Sequence, residues 1–293
     1  MEQEKAVHIR KKRKKVRKSD ILLKGLIYLF SFLTIGALAA LLIYILSNGL
    51  TKISWDFLSG SYSALRKEMG IFPMIMSTLY LVGLTILIAC PVGVLSAVYL
   101  VEYARPGKLL NIITFTTETL AGIPSIIYGL FGFIFFVTLM GWSYSLLSCA
   151  MTLSIMILPT IVRTTQESLK AIPASFREAS LALGATKLET VFKIVLPSAI
   201  PGIVSAIILS IGRIVGETAA VMLTFGMVTR LPTGIFDPGR TLATHLYSLV
   251  TEPKGQAYWD AAYATASVLI IIVIIVNFSV DFIFNKKFSR KMD

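Results

Sequence analysis

The sequence predicts an all-α integral membrane protein whose chain crosses a bilayer six times. Of its 293 residues, 55% are apolar and only 15% are charged, whereas soluble domains carry about 25% charged residues. The charges leave several stretches of roughly 20 apolar residues, each long enough to cross about 30 Å of hydrocarbon. Uninterrupted apolar runs indicate helices rather than barrel strands, which would alternate in polarity over about ten residues.

Six apolar runs, taken in chain order, predict the six helices. The first run, residues 21–46, follows a basic segment but exceeds the roughly 7–15 residues of a signal-peptide core, so we expect an uncleaved span. The remaining runs are 74–101 with Pro91 inside it, 120–140 with Pro124 near its start, 145–162 with Pro159 near its end, 198–225, and 263–284.

The basic residues predict how these spans are oriented, through the positive-inside rule. With six spans both termini lie on one side. That side would carry twenty-one Lys and Arg residues against six on the other, with Arg213 inside a span. We therefore expect cytoplasmic termini and two sizeable external loops, at 47–73 and 226–262.

A strongly basic segment opens the chain. Residues 1–20 hold nine Lys and Arg and three acidic residues. Their net charge of +6 is half of the formal net charge of the chain, which is +12. Such a segment can bind nucleic acid, but beside an apolar helix it is typical of a cytoplasmic tail that contacts anionic lipid. We expect no nucleic-acid partner.

Residues 164–197, between the fourth and fifth runs, predict two short helices outside the membrane. Residues 175–178 (SFRE) and 186–189 (TKLE) each fit a capping box, the sequence signature of a helix start. Between them, Gly184 can adopt the left-handed conformation that ends a helix. We expect a helix to begin at each box, and Pro197 to mark the far boundary.

Two charged side chains lie inside the fifth run, where the chain reads GRIVGETAA. A charge near the centre of a bilayer costs about 2.5–3.5 kcal/mol on insertion scales, so such residues usually face a pathway or a bundle interior. On one continuous helix Arg213 and Glu217 would share a face and could neutralise each other as a structural ion pair. A guanidinium also binds oxyanions through paired hydrogen bonds, which makes transport the second interpretation.

A second Arg–Glu pair, Arg163 and Glu167, follows the fourth run with the same spacing of four residues. Two such pairs on adjacent spans indicate a gated, positively biased route for an anion. An ordinary interfacial anchor is the other interpretation of Arg163.

Several small or helix-bending residues accompany these charges. Pro124 frees a backbone carbonyl and permits a bend in the third span. Helix packing is the simplest role for the glycines, because a missing side chain lets helices approach closely. The glycines concerned are Gly122, Gly129 and Gly132 in the third span and the G-x-x-x-G pair Gly212 and Gly216 in the fifth.

The segment 178–197 carries a longer pattern, EASLALGATKLETVFKIVLP. It resembles the EAA loop of ABC-transporter permeases, which reads Glu-Ala-Ala, three residues, Gly, nine residues and Ile-x-Leu-Pro. Ser180 stands in place of the second alanine. The resemblance implies that this loop docks on a separate ATPase subunit, and the chain has no phosphate-binding loop of its own. The matching positions are Glu178, Ala179, Gly184, Ile194, Leu196 and Pro197.

Further stretches narrow the resemblance to the PstA-type permeases of bacterial phosphate ABC importers. They are YLVEYA (99–104), ETLAGIPSIIYGLFG (118–132), GRIVGETAAVMLT (212–224), TLATHLYSLV (241–250) and DAAYATASVL (260–269). Ala220 stands where many of these sequences have proline. The resemblance implies the type I importer (MetI-like) permease fold. Its organisation here would be a first helix at 21–47, a permease domain at 70–285 and a cytoplasmic tail at 286–293.

The same resemblance implies partners and roles. In the bacterial inner membrane the chain would form a heterodimer with a PstC-like permease, above two copies of a PstB-like ATPase that uses ATP and Mg²⁺. An extracytoplasmic PstS-like protein would deliver phosphate. The chain itself would bind no cofactor or metal and would not be an enzyme. Transport would involve Arg213, Glu217, Arg163 and Glu167, and ATPase coupling would involve Glu178, Ala179, Gly184 and Pro197.

Two alternatives stay open from the sequence. One is a permease for another oxyanion, such as molybdate or sulfate. The other is an ion-coupled carrier or channel, which would leave the EAA pattern unexplained. A membrane enzyme lacks support, because the chain shows no paired carboxylates or metal-ligand spacing. Cys90 and Cys149 lie in apolar runs and are interpreted as small packing residues.

Overall fold

The computed structural model describes residues 18–63, 66, 68–252 and 255–288. This part of the chain is mostly helical, with one two-stranded antiparallel ribbon, so the predicted all-α class is confirmed. The predicted basic tail lies outside the described residues up to position 17. The same holds for positions 289–293 of the predicted C-terminal tail.

The elements of the described chain follow one another in a simple order. They are α1 (Lys18–Gly49), a 3₁₀ turn (Leu50–Lys52), α2 (Trp55–Ser59), β1 (Tyr62–Ser63), β2 (Glu68–Met69), α3 (Phe72–Val98), a π turn (Tyr99–Tyr103), α4 (Lys108–Ala121), α5 (Ser125–Gly132), a π turn (Phe133–Leu139), α6 (Leu146–Lys170), α7 (Ala174–Ala182), α8 (Lys187–Thr190), a π turn (Val191–Val195), α9 (Leu196–Gly216), α10 (Ala219–Thr224), α11 (Leu242–Thr251) and α12 (Gln256–Phe288).

Within the described ranges, five helical runs are long and apolar enough to cross a membrane, so the chain is a multi-pass membrane protein. The predicted count of six is reached only if α4, α5 and the following π turn are taken as one span. That pair is bent by 100° at residues 122–124, so the apolar run predicted over 120–140 is divided between two helices. The five runs are Leu22–Lys52, Phe72–Tyr103, Leu146–Lys170, Lys187–Gly216 and Gln256–Val280.

Residues 1–47 and 48–293 form two compact units. In the first unit the described residues belong to α1, which confirms the predicted helix over 21–46. In the second unit α6 is central, and it packs against α3, α9, α5 and α4. Its inward side chains are fully buried and give the core of the bundle. They include Cys149, Leu153, Met156, Ile157 and Ile161.

Pro91 and Pro159 do not end the helices that contain them. α3 continues through Pro91, and α6 continues through Pro159 as far as Lys170, well beyond the predicted end at 162. The boundary predicted at Pro197 is also wrong, because one helical run extends from Lys187 to Gly216. A π turn precedes Pro197, and this wider turn accommodates the carbonyl that a proline leaves without an N–H donor.

The N-terminus of α6 is capped by a distant segment of the chain. The N–H groups of Ser145, Leu146 and Leu147 donate to the carbonyl oxygens of Thr224, Asp237 and Ile235, at 3.0, 3.0 and 2.8 Å. The first N–H groups of a helix have no partner within it, so these bonds satisfy them. Residues 235–237 are thereby fixed to the end of the central helix.

A second, smaller core lies among α2, the ribbon, α11 and α12, and His245 on α11 is fully buried there. The ring of Tyr62 meets the His245 ring edge to face, with 4.8 Å between centroids. Nη1 of Arg240 lies 3.4 Å from Nδ1 of His245. Because a guanidinium can only donate, Nδ1 must accept, which leaves the ring proton of a neutral imidazole on Nε2.

Candidate functional site

Arg213 lies in the last turn of α9 and is half-buried. Among the described residues its guanidinium takes part in no ion pair and no hydrogen bond. Tyr128 on α5 lies within electrostatic range of it, which places the charge beside the bent α4–α5 pair. An unpaired guanidinium retains its capacity for two parallel hydrogen bonds to an oxyanion.

The predicted Arg213–Glu217 ion pair does not form, because the helix ends between them. α9 stops at Gly216, and Glu217 is extended with ψ near 130°, so the two side chains do not share a helix face. Glu217 is only 9% exposed, and its Oε1 accepts a hydrogen bond from the backbone N–H of Ala220 at 3.2 Å. A proline at position 220 would lack that N–H. The alanine therefore holds Glu217 at the start of α10.

The predicted packing glycines differ in how much space surrounds them, as shown by the distance from an added Cβ atom to its nearest neighbour. At Gly129 it would lie 2.8 Å from Cα of Ala220, and at Gly132 it would overlap the side chain of Thr152. Both of these close approaches were predicted. At Gly212 and Gly216 nothing within the described chain comes within 4 Å, so the predicted close contact is not made here. At Gly122 the nearest atom is the carbonyl oxygen of Thr119, at 3.5 Å.

The bend predicted at Pro124 is confirmed. At 100° it separates two helices rather than kinking one. Gly122 caps the end of α4, and Pro124 caps the start of α5 across the 100° break. The carbonyl of Leu120, four residues before Pro124, cannot receive an N–H bond from proline. It accepts instead from the backbone N–H of Ile123 at 3.1 Å and from the hydroxyl of Tyr128 at 2.8 Å.

Arg163 and Glu167 form the predicted pair on α6, with Nε and Oε1 3.3 Å apart. A second carboxylate beside Arg163 was missed by sequence reasoning. Glu118 on α4 also reaches Arg163, with Nη1 and Oε1 3.4 Å apart. Each of these side chains is about half exposed. Arg163 is therefore held between two acids, whereas Arg213 is free of them.

The segment between α6 and α9 forms a projecting turn of two helices, which we call the elbow (residues 171–190). Gly184 has φ of +85° and ends α7, as predicted. The capping box at Thr186 and Glu189 is present and starts α8. The box predicted at 175–178 is wrong. α7 already begins at Ala174, because Pro173 supplies the extended residue before it.

The elbow presents an exposed surface that mixes charge with apolar groups. Glu178 and Ala179 are exposed on α7, Gly184 is exposed at the joint, and Leu183 is 89% exposed. Pro197 is half-buried at the start of α9 and stands back from this surface. Exposed apolar side chains on a projecting turn indicate a protein-docking surface. They are Phe176, Leu181, Leu183 and Leu188.

Two contacts within and below the elbow were missed by sequence reasoning. The hydroxyls of Ser180 and Thr190 are buried and 2.9 Å apart, so the serine that replaces the second alanine of the pattern joins α7 to α8. Arg177 on α7 pairs with Glu102 at the end of α3. The 75 positions between these last two residues leave no local sequence signal for the contact.

Comparisons with known proteins identify the family to which the chain is similar. The family of binding-protein-dependent transport system inner membrane components matches residues 89–292. YqgI of Bacillus subtilis, a probable ABC transporter permease protein, is 35% identical over 275 residues, covering 88% of this chain and 92% of the relative. PstA 1 of Mycobacterium tuberculosis, a phosphate transport system permease protein, is 38% identical over 212 residues, covering 71% and 68%.

Solved structures agree on the fold. A chain of the MetNI methionine ABC transporter, in an inward-facing conformation, superposes with a TM-score of 0.56 at 25% identity over 74% of this chain and 94% of that one. A chain of a bacterial alginate ABC transporter gives 0.62 at 17% identity, over 94% and 96%. The chain therefore belongs to the binding-protein-dependent transport system inner membrane components, as a PstA-type permease of an ABC importer.

Proposed function

We propose that this chain is the membrane subunit of an ATP-driven importer that moves inorganic phosphate into a bacterial cell. The observation that carries the proposal is the guanidinium of Arg213, half-buried at the end of α9, unpaired among the described residues and within electrostatic range of Tyr128 on α5. Fixed positive charge in a water-poor setting attracts a small oxyanion strongly. The phosphate transport permeases among its relatives support phosphate as that anion.

Two arginines would bind the anion in sequence, and Glu217 and Glu167 would lie beside them in the pathway. Arg213 would bind the oxyanion in the membrane, and Glu217, held by the N–H of Ala220, would stay out of its reach. Arg163 would bind the anion nearer the cytoplasm. In this conformation Glu167 and Glu118 occupy its donors, so the anion would have to displace them.

The elbow supports coupling to a separate ATPase subunit. Its exposed apolar side chains and the exposed Glu178 suit a groove on a partner, while Gly184 and the Thr186 box fix its shape. ATP and Mg²⁺ would be used by that partner. This chain would bind no cofactor and catalyse no reaction itself.

The proposed assembly has a PstC-like permease beside this chain, two PstB-like ATPase copies at the elbow, and a PstS-like binding protein at the opposite face. The excess of Lys and Arg on the side of the termini supports cytoplasmic termini in the inner membrane. The small core around α2, the ribbon and α11 would then face the binding protein. A Cβ added at Gly212 or Gly216 would meet no atom of the described chain within 4 Å, so both positions would suit close packing against the second permease.

The test is ATP-driven uptake of labelled phosphate into liposomes that contain the four reconstituted components. We expect uptake to require ATP and the binding protein, and to resist excess sulfate or molybdate. Arg213→Gln should abolish uptake while the complex still co-purifies. Arg230→Gln, at an exposed residue of the loop after α10, is the matched control and should transport normally. Sulfate or molybdate uptake in place of phosphate would overturn the substrate, and normal uptake by Arg213→Gln would overturn the role of Arg213.

A further inference from the structure

A single guanidinium connects the elbow to two membrane helices. Nη2 and Nε of Arg177 donate to Oε1 of Glu102, at 2.7 and 3.0 Å, and Glu102 lies in the π turn that follows α3. Nη2 also donates to the carbonyl oxygen of Leu169 at 2.9 Å, and Nη1 to that of Ile172 at 3.0 Å. We call these four contacts the Arg177 clasp.

The clasp is shielded from water, unlike the other ion pairs of the described chain. The side chain of Glu102 is 8% exposed and that of Arg177 is 23% exposed. In the other described pairs every side chain is at least a third exposed. Charge-assisted hydrogen bonds are stronger where water is excluded, and here they also reach one carbonyl in the last turn of α6 and one just beyond it. The clasp therefore holds α7 firmly to both helices.

The second elbow helix contacts the same π turn. Nζ of Lys187, at the start of α8, lies 4.9 Å from the ring centroid of Tyr103, which is the last residue of that turn. The hydroxyl bond between Ser180 and Thr190 joins α8 to α7. The two elbow helices therefore form one body that rests on the end of α3.

On the basis of the proposed function, we infer that Arg177 and Glu102 are positioning residues of energy coupling: they transmit displacement of the elbow to α3 and α6. Both side chains are largely buried, at 23% and 8% exposure, whereas Leu183 and Glu178 are exposed. Loss of the clasp should therefore spare ATPase docking and impair the conversion of ATP hydrolysis into movement of the membrane helices.

The experiment compares Arg177→Gln and Glu102→Gln with the wild-type complex in liposomes. Three quantities are measured: co-purification of the ATPase subunit, the rate of ATP hydrolysis, and phosphate imported per ATP hydrolysed. Lys193→Gln is the control, because it removes the exposed ion pair with Glu189 close to the elbow. Hydrogen exchange of the α7 amides supplies a readout that does not depend on transport.

We expect both clasp variants to keep the ATPase bound and hydrolysing, while phosphate imported per ATP falls about tenfold and the α7 amides exchange faster. The control should match wild type in every measurement. Unchanged import per ATP in both variants, or a parallel loss of ATPase binding and import, would overturn the coupling role. Failure of the proposed function would give a different result from failure of the coupling role. The wild-type complex would then import no phosphate, while the α7 amides would still exchange faster in the two variants than in wild type.

Discussion

Nη1 of Arg163 lies 3.4 Å from Oε1 of Glu118, so an arginine of the central helix α6 is paired with a carboxylate of α4, on the elbow side of the sharp bend. The pair links the central helix of the core with the helix that ends at the break. Because Glu167 contacts the same guanidinium, two negative charges compete with any anion that approaches Arg163.

Glu118→Gln should raise the apparent affinity for phosphate, because it removes one of these competing charges. An exposed ion pair is worth about 0.2–1 kcal/mol, so we expect the Michaelis constant for uptake to fall about 1.5- to 5-fold with little change in thermal stability. The measurement is the concentration dependence of uptake in liposomes. Asp260→Asn, which removes the exposed pair with Lys52, is the control. A Michaelis constant that stays constant or rises would contradict a role for Arg163 in the anion route.

Gly129→Ala should destabilise the protein, since the new Cβ would lie 2.8 Å from Cα of Ala220 and 2.9 Å from Cδ1 of Leu223. Overpacking of this kind costs about 1–3 kcal/mol, and a backbone atom cannot rotate out of the way. The thermal midpoint in detergent should fall by several degrees. Gly83→Ala, with open space around the added atom, should leave the midpoint unchanged or raise it slightly. Equal midpoints for the two variants would show that α5 and α10 are not in close contact.

Tyr128→Phe should weaken the bend, because it removes one of the two donors to the carbonyl of Leu120 and leaves only the N–H of Ile123. Losing a buried hydrogen bond of this kind costs about 0.5–1.5 kcal/mol, which corresponds to roughly 2–4 °C in the thermal midpoint per kcal/mol. The exposed Tyr247 gives the matched control, Tyr247→Phe, and no shift is expected there. A wild-type midpoint for Tyr128→Phe would mean that water or another donor satisfies the carbonyl.

His245 should make the protein less stable in mild acid. Burial, reinforced by the positive charge of Arg240, lowers the pKa of His245 to about 3 from the ordinary 6.5. Because the folded form resists protonation, the unfolded chain binds more protons between those values, and stability present above pH 6.5 is lost progressively as the pH falls towards 3. The loss is at most about 1.4 kcal/mol per pH unit.

The measurement for His245 is the thermal midpoint of the wild-type complex and of His245→Gln between pH 7.5 and 5. We expect the wild-type midpoint to fall over this range more steeply than that of the variant, which carries no titrating group at the position. The other histidine, His8, belongs to the basic tail and stays in both proteins as an internal control. Parallel curves for the two proteins would show that His245 is protonated as readily in the folded chain as in the unfolded one.

Local patterns predicted the features that depend on a few adjacent residues. Gly184 ends a helix and the Thr186 box starts one because both effects act within a single turn of the chain. The same reasoning failed at 175–178, where a stronger local signal, Pro173, started α7 two residues earlier. Apolar runs likewise located the helices, but they could not show that prolines 91, 159 and 197 would be accommodated inside them.

Contacts between distant residues could not be predicted from one sequence. The pairing of Arg213 with Glu217 followed from the assumption of one continuous helix, and the break at Glu217 removed it. The actual partners, Glu118 for Arg163 and Glu102 for Arg177, come from other helices, at distances along the chain of 45 and 75 residues. The packing of the helix bundle determines which residues form such pairs, and the spacing of residues along the sequence does not predict that packing.

The helical run from Lys187 to Gly216 has no break over its 30 residues, whereas the next residues, Glu217 and Thr218, are not helical. A helical run of this length reaches about 45 Å and joins the elbow to Arg213 through one continuous backbone. The short link of two non-helical residues after Gly216 would let α10 stay in place when that run is displaced. The boundary between mobile and stationary parts of the importer should accordingly fall at this link, one turn beyond Arg213.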